Sequence, residues 1–67
     1  MTVARVSKIT ASSTQGFDAA VREGLLRAAK TIRGITGLHV VELKAKVDEG
    51  KITEYRVSME ITFVLEG

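Results

Sequence analysis

Apolar and polar residues follow a strand period, then a helix period, and then a strand period again along this chain. Residues 3–10 are rich in β-branched side chains and run into the polar cluster 12–16, which predicts a strand followed by a helix cap. Apolar residues then recur at spacings of three and four, which predicts one amphipathic helix over residues 15–33, ended by Gly34. The stripe consists of Phe17, Val21, Leu25, Ala28 and Ile32.

Beyond Gly37 the period becomes two, which predicts two half-buried strands. The apolar row of the first is His39, Val41, Leu43, Ala45 and Val47, and that of the second is Tyr55, Val57, Met59, Ile61, Phe63 and Leu65. We expect both rows to face the helix, with the last strand central so that every pairing is antiparallel. The opposite face keeps apolar residues at its ends, which we expect to meet neighbouring subunits; they are Leu38, Val40, Ile52 and Val64.

The connection between these two strands contains Gly50, and its length determines the strand register. A two-residue loop would set the apolar row of one strand opposite the polar row of the other. A three-residue loop with Gly50 left-handed keeps the rows together, so we predict that loop. It sets Leu43 opposite Tyr55, and it predicts two cross-strand ion pairs on the polar face. These pairs are Glu42 with Arg56 and Lys44 with Glu54.

The fold class is therefore α+β: a β-α-β-β chain forming one domain over residues 1–67, with a three-stranded antiparallel sheet wrapped on one helix. A chain of 67 residues buries only about 60% of its unfolded surface, so its core is marginal. Because there is no cysteine for disulfides, we expect oligomerisation to supply the missing stability.

Composition also narrows the function classes. Ten basic and eight acidic residues are interspersed, which argues against a nucleic-acid partner. The first ten residues include no apolar block, so we expect no signal peptide or membrane span and a cytoplasmic location. One histidine and no cysteine leave a transition-metal site short of ligands, and no acid-base pair or activated nucleophile indicates an enzyme.

Several segments together resemble the dodecin family, without gaps over essentially the whole chain. They are Thr10-Ala11-Ser12-Ser13, residues 27–33, His39-Val40-Val41-Glu42, Glu49-Gly50-Lys51 and Phe63-Val64-Leu65-Glu66. The resemblance implies a hollow homododecamer of β-α-β-β subunits that binds flavins such as riboflavin or FMN and catalyses no reaction.

The resemblance also implies a ligand site made of Gly37, Leu38, Glu42 and Arg56. Flavin-binding dodecins carry a stacking tryptophan where Gly37 stands and a glutamine where Arg56 stands, while their acidic residue matches Glu42. From the residues alone, Gly37 is also explained as a glycine of a turn or strand start. Arg56 is also explained as the partner of Glu42, and His39 as a structural histidine in the apolar row.

Two functions therefore stay open. The first is a shell that binds or buffers a small molecule, flavin being the family ligand. The second is a structural cage or a calcium-type ion-binding variant that does not bind flavin, in which symmetry would gather oxygen ligands from several subunits.

Overall fold

The computed structural model describes residues 3–65 and has the predicted β-α-β-β order. Its elements are β1 (Val3–Ser13), α1 (Phe17–Thr31), β2 (Ile35–Asp48) and β3 (Lys51–Leu65). The sheet order is β1-β3-β2 and both pairings are antiparallel, which confirms that the last strand is central. The helix is shorter than predicted, β1 runs three residues further, and β2 starts before Gly37.

The core lies between α1 and the central strand. Alternate residues of β3 face the helix, and Val57, Met59 and Ile61 are fully buried, because this is the strand with neighbours on both sides. The helix presents its smallest residues to them, with Ala20, Gly24 and Ala28 buried. The larger residues of the predicted stripe pack around this contact as partly buried neighbours; they are Phe17, Val21, Leu25 and Ile32.

The two ends of α1 differ from the predicted caps. No side chain caps the first turn; instead the hydroxyl of Ser13 accepts a hydrogen bond from the backbone N–H of Gln15 at 3.0 Å. The helix ends at Thr31, and Gly34 lies in the connection to β2 with φ at +76°. The Gly34 carbonyl accepts a hydrogen bond from the Val64 N–H at 3.0 Å, so this connection is fastened to the end of β3.

The predicted three-residue loop between β2 and β3 is wrong. Asp48 pairs with Lys51, so the loop is the two-residue Glu49-Gly50, and both residues have positive φ, 49° and 77°. Two positive φ values match the right-handed twist of a hairpin. The sheet restores the apolar register with a bulge at Thr53, whose hydroxyl donates to the Lys46 carbonyl at 3.4 Å.

A second bulge, at Val41, reverses the faces of β2. Leu43 pairs with Val57, but Val40 pairs with Met59, so Val41 lies between two registers. Leu38 and Val40 therefore lie on the helix side, where Leu38 packs against the core, and the prediction that placed them on the opposite face is wrong. His39 is displaced the other way, out of the apolar row.

The β2–β3 hairpin extends well beyond the helix. The chain spans 52 Å in its longest direction but only 19 and 13 Å in the others, and α1 packs chiefly on β1 and β3. Apolar side chains of the hairpin are therefore open to solvent, among them Leu43 at 54% and Val47 at 61% exposure. Leu65, predicted to lie in the buried row, is 43% exposed at the strand end.

Candidate functional site

The sheet surface turned away from α1, which we call the polar face, brings residues of all three strands into transverse rows. From Glu54 onward, the even-numbered residues of β3 point to this side because the odd-numbered ones pack under the helix. In the order β1, β3, β2, the rows are Val6–Thr62–Gly37, Lys8–Glu60–His39, Thr10–Ser58–Glu42 and Ser12–Arg56–Lys44. Three of the four predicted site residues are in these rows, and the fourth, Leu38, is not.

Gly37 lies two residues into β2, directly after a bulge at Thr36. Its φ is not positive, so the backbone does not demand glycine there. A Cβ built on it would meet no atom within 4 Å. Gly37 does lie near the start of a strand, but backbone freedom does not explain why it is glycine, and the missing side chain leaves free space on the polar face.

Glu42 and Arg56 are not the cross-strand pair that was predicted. Glu42 lies opposite Ser58, and Arg56 lies opposite Lys44, because the hairpin register differs from the predicted one. Each instead pairs along its own strand: the Glu42 carboxylate is 3.5 Å from Lys44 Nζ, and Arg56 Nε donates to Glu54 Oε1. The predicted Lys44–Glu54 pair is wrong for the same reason, since Glu54 lies opposite Lys46.

The separations along the sheet limit what one chain can hold. Neighbouring rows are two residues apart on β3, or about 7 Å. The rows of Glu42 and Arg56 are therefore adjacent, whereas the row of Gly37 is about 13 Å from that of Glu42 and about 20 Å from that of Arg56. One small planar ligand cannot touch both Gly37 and Arg56 of the same chain.

His39 is a residue of the polar face that the sequence prediction placed on the wrong side. Its side chain is 74% exposed, and Nδ1 lies 3.4 Å from Glu60 Oε1. The signal was present in the sequence, because the apolar positions change from even to odd between Val40 and Val41. That change indicates a bulge, which turns every side chain before it to the other face.

Three clefts of the chain lie away from these residues. A groove of about 500 Å³ runs between β1 and α1, lined by residues that include Ile9, Gly24 and Arg27. None of the predicted site residues lines this groove or the two clefts near the ends of the helix. The polar face of one chain is thus an open surface, which needs a second surface to enclose a ligand.

Two further findings apply to residues 3–65. No group of three or more histidine, aspartate or glutamate side chains is placed to hold a metal ion there. The helix in this part of the chain is not long and apolar enough to cross a membrane.

Comparison with known proteins assigns this fold to a family. The family model described as Dodecin matches residues 3–66. The curated dodecin of Thermus thermophilus is 34% identical over 59 residues, 88% of this chain and 86% of that protein. The solved dodecin of Streptomyces davaonensis superimposes with a TM-score of 0.92 at 32% identity, covering 98% and 97% of the two chains.

Another solved relative is described as a calcium dodecin from Mycobacterium tuberculosis with a novel calcium-binding site. It superimposes with a TM-score of 0.81 at 31% identity, over 96% of this chain and 91% of that one. Family model, curated relative and solved structures agree along almost the full length of the chain, and we conclude that it belongs to the dodecin family.

Proposed function

We propose that this chain is a non-enzymatic binding protein that assembles into a homododecameric shell and holds a small molecule on its polar face, flavin being the candidate ligand. The observation that carries the proposal is the open space at Gly37, flanked by side chains that can form hydrogen bonds on all three strands. Family membership supports both the shell and the class of ligand.

Assembly is part of the proposal because the site is incomplete in one chain. Gly37 and Arg56 lie about 20 Å apart along the sheet, so both can contact one flavin only if they come from different subunits. An open sheet face also needs a partner surface before it can bury most of a ligand, as small-molecule sites do. Leu38 would act indirectly, by holding the Gly37 segment of β2 against the core.

Flavin is the first ligand to test for binding to the polar face. Gly37 provides no aromatic surface for stacking. Arg56 can donate hydrogen bonds to a ring edge but cannot accept them, since a guanidinium has no acceptor. Binding would therefore depend on Glu42, Arg56 and the space at Gly37, and we expect it to be weaker than in a site with a stacking ring.

The decisive experiment measures the mass of the assembly and its binding of flavin. Multi-angle light scattering on the native protein should give the mass of twelve chains of 7.3 kDa each. Titration of riboflavin or FMN with the assembled protein should quench the flavin fluorescence to saturation. A monomer or dimer at micromolar concentration would overturn the shell, and a full-size shell that quenches neither flavin would overturn the flavin site.

Calcium is a second candidate because a solved relative is described as a calcium dodecin. The polar face carries the carboxylates of Glu42, Glu54 and Glu60, but no three metal-binding side chains come together within residues 3–65. A calcium site would therefore need oxygens from several subunits. Isothermal titration of chelator-treated protein with Ca²⁺ tests this, and heat evolved by the assembled protein but not by a variant that cannot assemble is the supporting result.

A further inference from the structure

One row of the polar face combines three titratable side chains from three strands. Lys8 of β1 and His39 of β2 flank Glu60 of β3, and the imidazole Nδ1 of His39 lies 3.4 Å from the Glu60 carboxylate. The His39 side chain is 74% exposed and that of Glu60 is 42% exposed. The contact therefore orients the ring without removing it from solvent.

This row is the nearest one to the free space at Gly37. His39 and Gly37 are two residues apart on the same strand, about 7 Å along the sheet. Both point to the polar face, since the bulge at Val41 turns His39 away from the helix. A planar molecule lying over Gly37 would meet the His39 ring before it met Glu42 or Arg56.

The charge of the row depends on His39. With a neutral imidazole, the Lys8 ammonium and the Glu60 carboxylate balance; with a protonated imidazole the row carries one net positive charge. Glu42, in the next row, is paired with Lys44 at 3.5 Å, and α1 contributes no charge here because it covers the opposite face. Histidine is the side chain that changes its charge between about pH 5 and 8.

We infer that His39 is a ligand-contacting, specificity-determining residue of the polar face, oriented by Glu60, and that it favours ligands carrying a negative group such as a phosphate, more strongly at acid pH. This inference rests on the proposed binding function and adds to it the class of ligand and a dependence on pH.

The test compares FMN, which carries a phosphate, with riboflavin, which does not. Fluorescence titrations of the assembled wild type at about pH 6 and about pH 8 give the ratio of the two affinities at each pH. The phosphate of FMN also titrates near pH 6. The same titrations on His39→Gln are therefore the control, because the ligand's own titration is identical in both proteins.

We expect acidification to raise the ratio of FMN affinity to riboflavin affinity about two- to fivefold more in the wild type than in His39→Gln. This is the effect expected of one exposed charge pair. Glu60→Gln removes the neutralising carboxylate, so it should strengthen FMN binding at both pH values. Thermal melts of both variants check that they fold and assemble, which we expect because both side chains are partly exposed.

The outcomes separate the two claims. If flavins bind but His39→Gln shows the same pH dependence as the wild type, His39 plays no part in ligand choice and the inference is wrong, while the binding function stands. If neither flavin binds to the wild type or to Gly37→Trp at either pH, the proposed flavin function and this inference are both wrong.

Discussion

At the scale of single residues, two glycines act in opposite ways. Gly24 faces the core, and a Cβ added to it would lie 2.7 Å from Met59 Cε and 3.0 Å from Ala11 Cβ. Gly37 faces open space. The first allows the helix to lie close to the sheet, and the second leaves room on the polar face.

Gly24→Ala should destabilise the fold although alanine is the better helix former. Overpacking a filled core costs about 1–3 kcal/mol, and the gain in helix propensity returns only about 1 kcal/mol. Ala29→Gly, at an exposed position of the same helix, measures the propensity effect alone. Chemical denaturation should show both variants less stable than the wild type; a more stable Gly24→Ala would mean that Met59 has room to move.

Gly37→Trp should strengthen riboflavin binding. A Cβ at this position meets no atom within 4 Å in one chain, and an aromatic pair contributes about 0.5–1.5 kcal/mol beyond its buried area, or about two- to tenfold in affinity. Adding Arg56→Gln should strengthen binding further, since an amide both donates and accepts. Fluorescence quenching measures both variants, with Arg56→Gln alone as the control. No gain in the double variant would show that the assembled site has a different shape.

At the scale of elements, the turn between β2 and β3 holds a glutamate in a backbone conformation that is unfavourable for that residue type. Glu49 has φ at +49°, a conformation that asparagine tolerates better than glutamate. Glu49→Asn creates the Asn-Gly pair favoured by two-residue hairpins, so it should raise the free energy of unfolding by up to about 1 kcal/mol. Gly50→Ala, at φ +77°, should lower it by a similar amount. Equal melting temperatures for Glu49→Asn and Gly50→Ala would contradict this turn geometry.

The helix and the part of β3 beyond Thr53 were predictable from sequence because each keeps one period along its length. Strand β2 was not, since bulges at Thr36 and Val41 change its register twice. Each bulge moves side chains to the other face, which placed Leu38 and His39 on the wrong sides. A pattern of alternate residues shows which side chains share a face only while the register is constant.

The candidate site was predicted less well than the fold for a related reason. The family resemblance selected Gly37, Glu42 and Arg56, and the polar face does hold all three. Their separations, however, follow from pairing partners that the sequence does not reveal. The residue nearest to Gly37 that can change its charge, His39, was assigned to the helix side because the bulge was not recognised.

At the scale of the whole molecule, the protruding hairpin leaves apolar side chains without neighbours in one chain. Leu43 faces the helix side of the sheet beyond the reach of α1 and is 54% exposed. We expect Leu43→Glu to prevent assembly, because a charge placed in an apolar contact must be desolvated. Leu43→Met keeps the apolar area and is the matched control. Analytical ultracentrifugation should show smaller species for the first variant only; an intact shell for both would place Leu43 outside the contacts.

The bulge at Val41 gives β2 one residue more than its ladder with β3 uses, so neither the identity nor the presence of that residue is fixed by the register. Val41 lies outside the ladder with its side chain 45% exposed, so many residue types should be tolerated there. Deleting Val41 would place Val40 next to Glu42, whose partners Met59 and Ser58 are already consecutive, so the ladder would close without changing its pairs. Leu38 and Val40 would stay on the helix side. A saturation library at this position and the one-codon deletion should therefore both retain cooperative thermal melting. Loss of melting in the deletion alone would show that the local twist of the bulge is required.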